Sequence, residues 1–183
     1  MTVRKILKYP QDETRLRRKS AEVKRLDADI KNLIHDLKDT LATQAGAGLA
    51  APQIGVLKRV TVVRFGQDTE DGMGQPIVLI NPVIVERGEP AKGFDGCLSL
   101  PGLCTWDTIR PSWLVVSARD ETFKKIKLRV ENIDARLVDH EIDHLDGTLF
   151  IDRMDATSKL YVIKTDEEGE EYLVEITRSL PDL

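Results

Sequence analysis

Two imidazoles one helical turn apart, with a carboxylate beside the first, are suited to hold a metal ion that activates water. His140-Glu141-Ile142-Asp143-His144 has that pattern. On a helix, residues i and i+4 share a face, so both rings reach one ion. Glu141 stands beside that face, placed to take a proton from water polarised by the ion. The chain has three histidines, and two of them are in this motif. The third, His35, falls on the polar side of another predicted helix and is expected to be solvated. Ile133, Leu137, His140 and His144 follow at i, i+4, i+7 and i+11, one stripe whose first members are aliphatic. That stripe is expected to face the core, where two buried imidazoles are costly unless something satisfies their nitrogens.

A catalytic zinc-type site takes three protein ligands and keeps one position open. No histidine follows His144, so a downstream third ligand would be a carboxylate: Glu167 or Glu168, in a charged turn expected to be exposed. Upstream, Cys97 offers a thiolate, the stronger ligand for a borderline or soft divalent ion. It sits in Asp95-Gly96-Cys97-Leu98-Ser99, a tight glycine-containing segment. Cys104, the only other cysteine, reads as a small buried hydrophobe. No Cys97–Cys104 disulfide is expected in a reducing compartment. A third segment, Gly46-Ala47-Gly48-Leu49-Ala50-Ala51-Pro52-Gln53, is rich in small residues. Its backbone could be approached closely and could pair with an extended peptide as an added strand. It contains no lysine and no further glycine, so it does not read as a phosphate loop.

These groups need elements to hold them. The metal motif is predicted on a helix over about Asn132–Asp146, with Gly147 as its stop and Glu131 or Asn132 near its start. Ile30, Leu33, Ile34, Leu37 and Leu41 mark an earlier amphipathic helix over Asp27–Ala45, ended by Gly46. Strand-like runs cover Arg59–Phe65, Ile77–Val85 (interrupted at Asn81-Pro82), Leu114–Ala118 and Lys125–Val130, the last alternating cleanly. Asp68–Gln75 reads as a loop. Tyr161–Ile163 and Tyr172–Ile176 flank an acidic turn and read as a terminal hairpin. Strands clustered between two helices predict an α+β fold with mainly antiparallel strands packed around a central metal-binding helix.

The length of 183 residues fits one domain, 1–183, with a real core. A net charge of −4 carries no global basic field and argues against nucleic acid as the main ligand. The basic run Arg15, Arg17, Arg18, Lys19, Lys24 and Arg25 reads as a solvated face. No apolar run approaches the ~18 residues of a spanning helix, and Met1–Pro10 lacks the apolar centre of a signal peptide. A cytoplasmic protein without membrane partners is expected.

In their order and spacing, Gly46–Gln53, Asp95–Ser99 and His140–His144 resemble the three signature motifs of peptide deformylases. The resemblance covers about residues 3 to 155. The C-terminal segment, 168–183, is less typical: it reads as strands, whereas many bacterial members end in a helix. The resemblance implies hydrolysis of the N-terminal formyl group of formylmethionyl nascent peptides, with release of formate. It implies one divalent metal ion, Fe²⁺ first and Zn²⁺, Ni²⁺ or Co²⁺ as substitutes, held by Cys97, His140 and His144. Glu141 would be the base, and the Gln53 amide and Leu98 N–H would donate to the oxyanion. Gly46 and Gly48 would bind the substrate backbone, while apolar residues near Leu98 and the helix would bound a methionine pocket. A monomer, with the ribosome as a further partner, also follows from the resemblance.

Three positions depart from the family pattern. Asp95 replaces the usual Glu, with Arg110 as its candidate partner; Asp139 replaces a common Gln and is expected to face solvent; Ala47 is smaller than the usual Val or Ile. Two other functions use the same residues: a metallo-endopeptidase, and a deformylase-like module that binds nascent chains or the ribosome without turnover.

Overall fold

The computed structural model describes residues 2–66, 74–166 and 168–176. Most of the loop expected over Asp68–Gln75, as well as Glu167 and residues 177–183, lies outside them. The helices are α1 (Glu13–Leu16), α2 (Ala28–Ala42) and α3 (Asn132–Asp146). The strands are β1 (Gly48–Ala50), β2 (Val60–Val63), β3 (Ile77–Arg87), β4 (Pro90–Cys97), β5 (Leu100–Pro111), β6 (Trp113–Arg119), β7 (Lys125–Glu131), β8 (Leu160–Thr165) and β9 (Glu171–Ile176). They form a five-stranded sheet of order β1-β2-β3-β6-β7 and a four-stranded sheet of order β4-β5-β8-β9. Every strand pair is antiparallel, and the terminal hairpin β8–β9 forms as expected. The fold is α+β, with α3 packed against strands of both sheets.

Local chemistry sets the boundaries. Asp27 caps α2 by accepting from Ile30 N at 3.1 Å, satisfying one free N–H of the first turn. That helix stops at Thr43, short of the expected Gly46. Its apolar stripe, Ile30, Leu33, Ile34, Leu37 and Leu41, packs on Leu49, Val60, Val62 and Ile80 of the larger sheet. Strand β3 is not interrupted by Asn81-Pro82. Asn81 adopts a φ of 51° there, and the register with β6 shifts between Ile80 and Val83, so the strand bulges and continues.

Helix α3 is buried on most of its circumference, as a central helix must be. Ala135, Val138 and Ile142 face the apolar cluster of the larger sheet. The stripe through Ile133, Leu137 and His140 has a different role from the one expected: it faces a cavity, and Ile133 and Leu137 are only half-buried. The helix ends at Gly147, whose φ is 76° and whose N–H bonds back to His144 O. A Cβ there would lie 2.3 Å from the Arg17 carbonyl oxygen. Gly147→Ala is therefore expected to cost about 2 kcal/mol or more, from left-handed strain plus the clash, as a lowered midpoint in urea unfolding.

Candidate metal centre

Helix α3 and the β4–β5 hairpin meet face to face, and Arg136 of the helix joins them. Its guanidinium donates to the carbonyl oxygens of Ala91 (3.0 Å), Gly93 (2.8 Å), Phe94 (3.2 Å) and Thr108 (3.0 Å), and to Thr108 Oγ1 (2.6 Å). Gly93 leaves room for it, since a Cβ would lie 2.9 Å from Arg136 Cζ. This docking brings the end of β4 to the last turns of α3.

Cys97 Sγ then lies 3.1 Å from His144 Nε2, which lies 3.2 Å from His140 Nε2. Among the described residues these three form the cluster able to hold a metal, with ligand atoms all within 4.8 Å of one another. Glu168, the alternative third ligand, is exposed in the β8–β9 turn, where its N–H bonds to Asp166. His140 Nδ1 donates to Asp95 Oδ1 at 2.7 Å, which fixes the ring with its Nε2 turned towards Cys97 Sγ and His144 Nε2. Burial, with His140 and Arg110 nearby, holds the His144 imidazole well below its ordinary pKa, so it is a neutral donor. Two imidazole nitrogens and a sulfur converge on one point. The donor set of one sulfur and two nitrogens fits a borderline divalent ion.

Beneath the donors lies a buried ionic cluster. Arg110, whose side chain is 0% exposed, donates to Asp95 (2.7 Å), Asp139 (2.7 Å) and Asp143 (2.8 Å). Asp143 is also paired with Arg153. Arg110 is thus the partner of Asp95, as expected. Asp139 does not face solvent: it is buried against Arg110, because that single guanidinium has more donors than Asp95 can accept. Burial works against the charge of Asp95, yet His140 and Arg110 hold its carboxyl well below the ordinary carboxylate range.

On the other side of the donors, Glu141 is buried and accepts from Thr61 Oγ1 at 3.2 Å. Burial pushes its carboxyl up to about 7, against the pull of His140 and Thr61. The Gln53 side chain is fixed at both ends. Its Oε1 accepts from Ala50 N at 2.8 Å, and its Nε2 reaches Ser99 Oγ (3.2 Å) and Cys97 Sγ (3.6 Å). Gly48 is buried on edge strand β1, and Gly46 lies against Leu98, whose carbonyl accepts from Lys8 Nζ. Glu141, Gln53, Cys97, Gly46, Gly48, Leu98 and Lys8 line one cavity of about 560 Å³. Cys104 is buried beside it as a free thiol, and Cys97 is free as well.

Asp139, Asp143, Thr61, Ser99 and Arg136 were not singled out by sequence as partners within this site. One signal was present. Asp139 and Asp143 stand at i and i+4 on the flank of the histidine face, so burying that face buries both and demands a cation. A Cβ on Gly48 would lie 2.3 Å from Glu141 Oε1. Gly48→Ala is therefore expected to shift that carboxylate and lower kcat about 100-fold with metal content unchanged, read by steady-state kinetics beside metal analysis.

Known proteins resemble this chain in sequence and in fold. A family model described as polypeptide deformylase matches residues 3–160. A peptide deformylase of Symbiobacterium thermophilum is 41% identical over 182 residues, covering 100% of this chain and 79% of that one. One from Thermomicrobium roseum is 40% identical over 172 residues, covering 92% and 95%. Among solved structures, the peptide deformylase of Ehrlichia chaffeensis in complex with actinonin superposes with a TM-score of 0.77 at 34% identity, covering 85% of this chain and 91% of that one. That of Thermus thermophilus gives 0.75 at 38% identity, covering 84% and 87%. With a family model matched over residues 3–160 and relatives about 40% identical over nearly the whole chain, the chain belongs to the peptide deformylase family.

Proposed function

We propose that this chain hydrolyses the N-terminal formyl group of formylmethionyl nascent peptides, releasing formate, and that residues 1–183 work as one catalytic unit. The observation that carries this reading is the Cys97, His140 and His144 donor cluster, with Cys97, His140 and Glu141 lining one cavity that borders edge strand β1.

Cys97, His140 and His144 would hold one divalent ion, with Fe²⁺ first on the family resemblance and Zn²⁺, Ni²⁺ or Co²⁺ as substitutes. A divalent ion there supplies a Lewis acid and acidifies water. Glu141 takes a proton from the attacking water, whose oxygen bonds to the formyl carbon. It then delivers that proton to the leaving amine as the C–N bond breaks. Burial raises the carboxyl to about 7 in the ion-free protein, and a divalent ion beside it would draw that value down. Gln53 Nε2, fixed beside Cys97, and the Leu98 N–H donate to the developing oxyanion, each contributing about 3 kcal/mol. Gly46 and Gly48 leave the β1 edge open for the substrate backbone, and Leu98, Ile133 and Leu137 bound the methionine side chain. No helix among the described residues is long and apolar enough to cross a membrane. Work in the cytoplasm, as a monomer on chains leaving the ribosome, fits this reading.

A metallo-endopeptidase is not favoured, because the third donor beside the histidines is a hairpin cysteine and not a downstream carboxylate. Protein loaded anaerobically with Fe²⁺ is expected to release formate from formyl-Met-Ala-Ser without cleaving internal bonds. Absence of formate with metal bound would overturn the assignment. Cys97→Ser is expected to lose at least half of the bound metal after dialysis and to alter the Co²⁺ visible spectrum, since a hard hydroxyl replaces the thiolate.

A further inference from the structure

The two groups assigned to the oxyanion come from different halves of the fold. Gln53 belongs to the one-turn helix Ala51–Ile54 after β1 of the larger sheet, and Leu98 to the turn between β4 and β5 of the smaller one. The amino-terminal segment is tied to both. Ile6 packs in the apolar cluster that contains Ala51 and Ile54, while Leu7 packs in the one that contains Leu100 and Leu103. Leu7 N–H donates to Gln53 O at 2.8 Å, and Tyr9 N–H donates to Ser99 O at 2.8 Å. Between them, Lys8 lines the metal-site cavity, and its Nζ donates to Leu98 O at 3.3 Å. Among the described residues that ammonium makes no ion pair, so its charge bears on the carbonyl it touches. The same peptide group carries the Ser99 N–H, which donates to Cys97 Sγ at 3.4 Å. Ser99 is buried, and its hydroxyl accepts from Gln53 Nε2 at 3.2 Å.

We propose that Lys8 is a positioning residue for the reaction, acting through the Leu98–Ser99 peptide on the Leu98 oxyanion donor and on the Cys97 sulfur. The inference rests on the deformylase reading above. Lys8 lies outside the three motifs that carry that reading, and it acts in two ways. The first is geometric. A donor stabilises an oxyanion only if it is aimed before the charge develops. Lys8 holds the peptide that follows Leu98, so the Leu98 N–H keeps one direction while Leu7 and Tyr9 fix the segments on either side. The second is electrostatic. A cation at a peptide carbonyl polarises the whole group and strengthens the N–H on its far side. That N–H bonds to Cys97 Sγ, and a stronger bond draws electron density from the sulfur. Hydrogen bonds of this outer kind tune how strongly a ligand atom donates to its metal.

The test compares the wild type with Lys8→Met and Lys8→Arg, each as the full chain loaded with Co²⁺. Methionine keeps the length of the side chain and removes its charge and donor, whereas arginine keeps both. For formyl-Met-Ala-Ser, Lys8→Met is expected to lower kcat about 10-fold with KM within about twofold, because the bonds it disturbs form only in the transition state. The readout independent of turnover is the sulfur-to-cobalt charge-transfer band. It should move to longer wavelength in Lys8→Met, since a sulfur with a weaker N–H partner gives up electrons more easily. Lys8→Arg should bring both kcat and the band back towards the wild type. A band at the wild-type wavelength in Lys8→Met overturns the proposal. So does a loss of kcat that arginine does not restore, which would mark a packing role. A raised KM at unchanged kcat also overturns it, since Lys8 would then bind substrate directly. If the wild type yields no formate while the band shifts in Lys8→Met and returns in Lys8→Arg, the link from Lys8 to Cys97 stands and the deformylase reading falls.

Discussion

Replacing Glu141 with glutamine is expected to reduce formate release about 1,000-fold while bound metal stays at the wild-type level. The amide matches the carboxylate in shape, and Glu141 is not part of the Cys97, His140, His144 cluster, so the ion keeps its ligands. Thr61 Oγ1, now 3.2 Å from Oε2, can still bond to the amide oxygen. What is lost is the group that accepts and returns the proton, a contribution typically of about 10²–10⁴ in rate. Single-turnover formate release beside metal analysis separates the two effects. Turnover within about tenfold of wild type would mean that another group is the base. The same substitution has a pH signature in ion-free protein. The folded-state pKa of Glu141 is raised to about 7, so burying its anion costs stability above that pH and costs nothing below its unfolded value. Glu141→Gln is therefore expected to be more stable than wild type at pH 8, on the order of 2 kcal/mol, and to lose that advantage as pH falls towards 4. Parallel urea melts across that window check the sign.

Arg110→Leu is expected to be the most destabilising single change in the chain. It would leave Asp95, Asp139 and Asp143 buried with their shared cation gone. Removing one partner of a buried ionic cluster costs about 3–5 kcal/mol, and here three carboxylates lose it at once. Arg153 still faces Asp143 and His140 still faces Asp95, which limits the loss. The Asp139 carboxylate is held by Arg110 itself, so Arg110→Leu combined with Asp139→Leu should recover part of it. A double-mutant cycle in denaturant measures that coupling. Additive losses would show that Asp139 does not depend on Arg110.

The parts of this molecule that could be read from sequence are those with local signals. The 3.6-residue periodicity placed α2 and α3, Gly147 marked the end of α3, and alternation found β7. The β4–β5 hairpin was not predicted as strands. Pro90, Gly93, Gly96, Pro101 and Gly102 carry weak strand propensity, and two register shifts against β5 break the alternation. Those residues form strands because tertiary contacts with α3 override propensity: Arg136 takes the carbonyls that an isolated hairpin would leave to water. The two histidines of the candidate cluster were legible because residues four apart on a helix share one face. The burial of Asp139 was not, since its partner Arg110 is 29 residues away in sequence and arrives only when the hairpin docks.

The Arg136 clamp has a consequence for how an ion would enter the candidate site. The thiol and the two rings come from separate stretches of chain, and the five guanidinium bonds and the ionic cluster beneath tie those stretches together without using any of the three donor atoms. Loading of the site is therefore expected to need no rearrangement of these stretches. Stripped protein should reload within the mixing time, with amide exchange along α3 and β4 nearly the same before and after.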